Sequence, residues 1–134
     1  MDADRVIARV RRGYESFNRG DFEDVFEQLD PGIEVRERSD SPDPRHASGR
    51  EEAMAAFRSL REDFEDYRFE PREFHMEGDH LVVVARQSAV GRLSQVPVEG
   101  DIVHAWHVTD DDRVGSLRAF STLEEALEAL RSGG

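Results

Sequence analysis

"HAWHVTDDDRVGSLRAF", residues 104–120, is the stretch on which the fold assignment turns. On an extended chain His104, Trp106 and Val108 fall on one side and Ala105 and His107 on the other, so an ionisable imidazole shares a face with apolar neighbours. "DDD" at 110–112 breaks this alternation as a polar turn and "RVGSLRAF" resumes it, which predicts strands over 96–109 and 113–121. Working backward, 67–77 and 80–92 show the same period on either side of "EGD" at 77–79, and the four segments read as an antiparallel meander. Working forward, Thr122 with Glu125 makes a capping box for a last helix that buries Leu123, Ala126, Leu127 and Leu130, and "SGG" at 132–134 reads as a frayed tail.

The first third of the chain changes period. Val6, Ile7, Val10, Tyr14 and Phe17 recur at helical spacing over 2–18, with arginines on the opposite face, and Gly20 ends the helix. Asp21 caps a second helix carrying Phe22, Val25, Phe26 and Leu29, and "DPG" at 30–32 is expected to turn the chain. A strand over 33–38 then sets Ile33, Val35 and Glu37 on one face, which makes Glu37 the odd residue there. Residues 39–49 read as a polar loop placed to cross a pocket mouth, and Ser48 with Glu51 as a capping box for a third helix striped by Ala53, Phe57, Leu60 and Phe64. Helix, helix, strand, helix, four strands and a helix make an α+β layout, expected as one domain over 1–134. A strongly bent sheet around these helices leaves a cone open at one end, where a small-molecule site would form.

Composition removes several function classes. Thirty acidic against 18 basic side chains give a formal charge of −12, so neither nucleic acid nor an anionic membrane is an expected partner, and the arginines at 5, 9, 11, 12 and 19 read as a solvated helix face. The longest apolar run, "LVVVA" at 81–85, is far too short for a membrane span, and the N-terminus lacks a signal-peptide pattern, so a cytoplasmic location is expected. With no cysteine there is no thiolate chemistry, and with no lysine there is no Schiff base. His104 and His107 face opposite sides, "DDD" is not a calcium loop, and His46, His75 and His80 read as lacking paired ligands, so no metal or other cofactor is expected. Glycine-rich phosphate loops and "GxSxG" elbows are missing as well.

"YESFNRGDFEDVFEQLDPGIEV" at 14–35, "GREEAMAAF" at 49–57 and the opening stretch together resemble the nuclear transport factor two-like superfamily, especially its SnoaL-like and ketosteroid isomerase-like members. The resemblance implies a cone-shaped, curved mixed sheet wrapped around the N-terminal helices. Its activities range over isomerases, cyclases, dehydratases, epoxide hydrolases and domains without catalysis. The isomerases place a carboxylate base on the first strand and an oxyanion-binding pair, a tyrosine on the first helix and an aspartic acid on a late strand. By resemblance Glu37 takes the base position and His104 that of the aspartic acid, whereas the tyrosine position falls near Gly13, one residue before Tyr14.

Glu37 and His104 are also singled out without the family, because each is ionisable on an otherwise apolar strand face. A carboxylate enclosed by Ile33, Val35 and aromatics would have a raised pKa suited to accepting a proton, and a neutral imidazole could donate to an enolate-like oxygen. Each has a plain alternative: Glu37 as a strand end rising into solvent, His104 as a satisfied core histidine or a direct partner of Glu37, and Tyr14 as packing for the first helix. Phe17, Val35, Phe57, Leu60, Phe64, Val83, Ala85, Trp106 and Leu117 are expected to line the interior against a small apolar organic ligand. Epoxide hydrolysis by an Asp–Arg–Asp set fits less well, because no aspartate falls on an inward face, although Arg86 and Arg118 offer the arginine. Val82, Val84, Val103, Ala105 and Phe120 on the outer face are expected to be partly exposed and to pair two copies into a homodimer. The reading is therefore a SnoaL-like protein that isomerises, cyclises or dehydrates a carbonyl compound by proton transfer, or a non-catalytic ligand-binding or dimerisation module of the same fold.

Overall fold

Val6, Val10, Tyr14 and Phe17 are all buried along one stripe of the first helix, α1 (Ala3–Arg19). The Asp2 carboxylate accepts the Asp4 amide at the start, and Gly20, at φ 74°, lets the chain close back on Phe17 and Ser16 at the end. The computed structural model describes residues 2–37 and 46–132. After α1 come α2 (Phe22–Gln28), β1 (Leu29–Arg36), β2 (His46–Ser48), α3 (Arg50–Asp63), β3 (Phe64–Glu77), β4 (His80–Gly91), β5 (Pro97–Val108), β6 (Val114–Phe120) and α4 (Leu123–Arg131). Most of the loop expected over 39–49 and the end of the tail at 132–134 lie outside the described residues, as does Met1.

The strands form one mixed sheet in the order β2-β1-β6-β5-β4-β3, antiparallel throughout except for the β1–β6 pair. The expected α+β architecture, a curved sheet around the N-terminal helices, is what the chain adopts. Curvature enters at register shifts in β3, between Glu65 and Arg68 and between Pro71 and Glu73, which bend the long strand. Asn18 of α1 grips this edge strand, donating to the Phe69 carbonyl at 2.8 Å and accepting the Phe69 amide at 3.0 Å. That pairing satisfies backbone groups which an edge strand otherwise leaves open.

On the inner face, Val6, Val10 and Tyr14 pack against Leu81, Val83, Ala85, Ile102 and Val108, while α2, α3, β1 and β6 close a second cluster around Ile33, Ala53, Met54 and Leu117. The outer face differs from the expectation. Val82, Val103 and Ala105 are buried there, with Val84 and Phe120 packed alongside, because α4 lays Ala126, Leu127 and Leu130 over them. The apolar surface read as a dimer face is thus covered from within the chain.

Local differences have local causes. "DPG" continues β1 instead of turning, with the parallel register slipping between Leu29 and Glu34, so the missing Pro31 N–H falls where the ladder is interrupted. The Ser48–Glu51 box does not form. Gly49, at φ 88°, precedes the helix, Glu52 accepts the Ser48 amide at 3.0 Å, and the Ser48 hydroxyl donates to Glu34 at 2.8 Å. Phe64 opens β3 instead of closing α3. The Thr122 cap holds, accepting the Glu125 amide at 3.2 Å. Arg5 and Arg9, read as solvated, donate to Asp112 at 2.8 and 2.6 Å, fastening α1 to the β5–β6 turn. Among the described residues no helix is long and apolar enough to cross a membrane.

The α4 contact makes a direct prediction. Ala126→Asp places a carboxylate against Val82, Val103 and Ala105 without a partner, and should cost about 3–5 kcal/mol of stability. A lowered urea midpoint with increased binding of a hydrophobic dye checks it; an unchanged midpoint would mean that α4 does not seal this face.

Candidate functional site

Between the inner face of the sheet and helices α1 to α3 lies a cavity of about 460 Å³. Tyr14 and Phe17 reach it from α1, Phe57 and Leu60 from α3, Val35 from β1, Phe64 from the start of β3, Trp106 from β5 and Leu117 from β6. Val83 and Ala85 do not line it: both are fully buried in the cluster beneath Val6, Val10 and Tyr14, so α1 stands between them and the open space. Tyr67, Phe69, Gln28 and Ile102 line the wall and were not anticipated. The alternation of Tyr67 with Phe69 at the head of β3 was signal enough for that pair. Nothing local marks Gln28, a polar residue ending a short helix, yet it is buried. Its amide donates to Asp24 and Ser16 while its Oε1 has no hydrogen-bond partner among the described residues.

The polar centre of the wall is a line of three side chains. The Trp106 indole N–H donates to the Tyr14 hydroxyl at 3.0 Å, and the same hydroxyl lies 2.7 Å from His104 Nδ1. An indole nitrogen can only donate, so Tyr14 accepts from Trp106, and His104 Nδ1 is the one acceptor among the described residues within reach of the hydroxyl's own proton, which assigns Tyr14 as donor to it. His104 is 5% exposed, and this burial pushes its pKa down to about 4, so near neutrality the ring is uncharged and Nδ1 is free to accept. Burial moves Tyr14 the other way, upward, which keeps its proton on oxygen. The tautomer assigned by this order carries its hydrogen on Nε2, and among the described residues that atom has no hydrogen-bond partner. Aromatic rings hold the imidazole on its other sides, with Phe69 edge-on at a centroid distance of 5.1 Å and Trp106 at 5.8 Å. His104 therefore offers one fixed, neutral N–H donor in an apolar cavity.

Glu37 is not where the strand pattern put it. β1 ends at Arg36, and Glu37 follows as an exposed residue on the cavity's border, so the expected enclosure by Ile33 and Val35 does not arise. No hydrogen bond joins it to His104. Arg86 pairs with Glu99 and Asp101 at 3.6 Å each, and neither it nor Arg118 lines the cavity. The reading of His80 as lacking a paired ligand is overturned, because the β4–β5 register sets it directly opposite His107 with Asp79 beside both.

The sequence pattern of the SnoaL-like domain matches residues 10–116. Three solved structures illustrate the likeness in fold. Bal32a, from a soil-derived mobile gene cassette, superposes with a TM-score of 0.78 at 20% identity, over 87% of this chain and 88% of that one. A putative SnoaL-like polyketide cyclase from Jannaschia sp. CCS1 gives 0.77 at 23% identity, over 94% and 91%. TerC, co-crystallised with polyporic acid, gives 0.75 at 18% identity, over 95% and 98%. Among curated proteins none matches the sequence.

The depressed His104 pKa fixes a pH dependence. Between about 4 and the ordinary histidine value near 6.5, the unfolded chain binds a proton that the folded chain refuses, so stability is full above that window and falls as pH drops through it, by roughly 3 kcal/mol in total. Urea unfolding at pH 7 and pH 4.5 should show a smaller loss in His104→Phe than in the parent chain. Equal losses would mean that the imidazole is accessible to protons in the folded state.

Proposed function

The chain belongs to the SnoaL-like domain family, and we propose that it captures a small, largely apolar, neutral compound by a carbonyl oxygen and promotes proton transfer next to that carbonyl. The observation that carries this reading is the His104 Nε2–H, held by Tyr14 and Trp106 and without a partner among the described residues, in an apolar cavity. A donor fixed on a carbonyl oxygen favours the state in which that oxygen gains negative charge, and a polarised hydrogen-bond chain behind it strengthens as charge develops. Loss of a proton from the adjacent carbon then leads to isomerisation, cyclisation or dehydration. Glu37, on the border of the same cavity, is the proposed base, and Tyr14 acts through the imidazole as a positioning residue. Phe17, Val35, Phe57, Leu60, Phe64, Trp106 and Leu117 supply the apolar contacts. Capture without turnover is the second reading, and the exposed position of Glu37 on the cavity's border favours it, since catalysis needs convergent groups held inside one enclosure.

Trp106, the only tryptophan, reports on occupancy by its fluorescence. Titration with a neutral, largely apolar ketone should perturb this emission, and His104→Phe should weaken binding by about fivefold to tenfold, the value of one net hydrogen bond. Undiminished affinity in that variant would remove the donor from recognition. Deuterium uptake next to the carbonyl of a bound ketone, followed by NMR, separates the two readings: loss of uptake in Glu37→Gln supports proton transfer, whereas no uptake by the parent chain leaves capture alone.

A further inference from the structure

We propose that Asp79, His80 and His107 form a binding site for a divalent transition-metal ion on the face of the sheet opposite the cavity. His80 and His107 are direct partners in the antiparallel β4–β5 register, and by alternation they share the face of Val82, Val103 and Ala105. Their ring centroids are 5.6 Å apart. The Asp79 carboxylate, in the β3–β4 turn, lies with one oxygen 2.8 Å from His80 Nδ1 and the other 3.8 Å from His107 Nδ1. One donor atom from each residue can be chosen so that all lie within 4.8 Å of one another. A zinc-sized ion with ligands at about 2.1 Å requires donor separations of roughly 3.4 Å in a tetrahedron, which a modest side-chain rotation provides here.

The backbone that carries the two imidazoles is rigid, because β4 and β5 are interior strands paired on both edges. Gly115 gives the His107 ring its place: a Cβ there would stand 3.3 Å from His107 Cδ2 and 3.0 Å from Thr109 Cγ2. Asp79 sits in the turn after Gly78, which has φ 62°, and its exposed side chain is free to swing onto an ion. Two imidazoles and one carboxylate suit zinc, nickel or copper better than magnesium or calcium, which prefer oxygen. Three protein ligands leave a coordination position for water or an exogenous donor.

The test is calorimetric titration of the full chain with Zn2+ near neutral pH, together with the visible absorption of the Co2+ form. The expected result is one ion per chain, a tetrahedral Co2+ spectrum, and a loss of about tenfold or more in each of Asp79→Asn, His80→Gln and His107→Gln. His46 and His75, each beside a single glutamate, provide the control, since the double variant His46→Gln/His75→Gln should bind as the parent does. No zinc binding by the parent chain, or equal binding by His80→Gln/His107→Gln, overturns the proposal. Asp79→Asn, altering an exposed turn residue, keeps the test valid if the histidine variants fail to fold.

Discussion

One hydroxyl group sets the terms for the interior of this protein. Tyr14 Oη stands between a nitrogen that can only donate and a nitrogen that burial keeps ready to accept, and it has one proton and one accepting role to distribute. Unpaired polar atoms inside an apolar cluster cost about 1–3 kcal/mol each, so Trp106, Tyr14 and His104 are stable together where none would be alone. The same bonds tie α1 to β5 across about ninety residues of sequence and fix the angle at which the helix lies in the curved sheet. The helix position and the direction of the remaining donor are thus consequences of one local accounting of protons.

The two faces of the sheet solve different problems. The outer face is flat enough for α4 to seal with small and branched side chains, Ala126 against Ala105, Val82 and Val103. The inner face is bent by the irregularities in β3 and gripped by Asn18, so α1 covers Val83 and Ala85 but cannot follow the sheet as far as Leu117 and Val35. The gap that remains is bordered by aromatic rings in edge-to-face contacts, such as Phe17 with Phe57 and Tyr67. Rings locked by one another cannot collapse inward to fill the space, and the cavity persists for that reason.

How much of this was legible in the chain depended on whether the signal was periodic or relational. Alternation over 80–92 and 102–108 is periodic, and it put His104 and Trp106 inward and Val82 and Val103 outward, as the fold does. Phe17, Phe57, Leu60 and Leu117 were legible as stripes for the same reason. The outer face and the apolar side of α4 were both visible, but as separate features, because nothing in a one-dimensional pattern says that two greasy surfaces meet each other. The strand expected as far as 38 stops two residues sooner, at Arg36, which leaves Glu37 past its end as an exposed residue on the cavity's border. His80 opposite His107 depends on register, and the burial of Gln28 on how α1 packs against α2, where it reaches Ser16 as well as Asp24 four residues earlier.

The charge distribution narrows what the cavity can hold. The chain carries a formal charge of −12, and the only charged residues among the described ones bordering the cavity, Arg36 and Glu37, are exposed at its rim. An anion entering would be opposed by the overall field, would shed its hydration, and would meet inside the rim neutral polar groups, His104, Gln28, Tyr67 and Gln87 among them, in place of a cation. A neutral carbonyl loses much less on desolvation, and under the proposed reading one hydrogen bond to His104 would offset that loss. A protonated histidine would reverse this preference, and the protein avoids that by burying the ring until its pKa lies near 4. The apolar enclosure that would suit a greasy ligand is therefore the same factor that keeps His104 uncharged, and under the proposed reading a preference for neutral compounds follows from it.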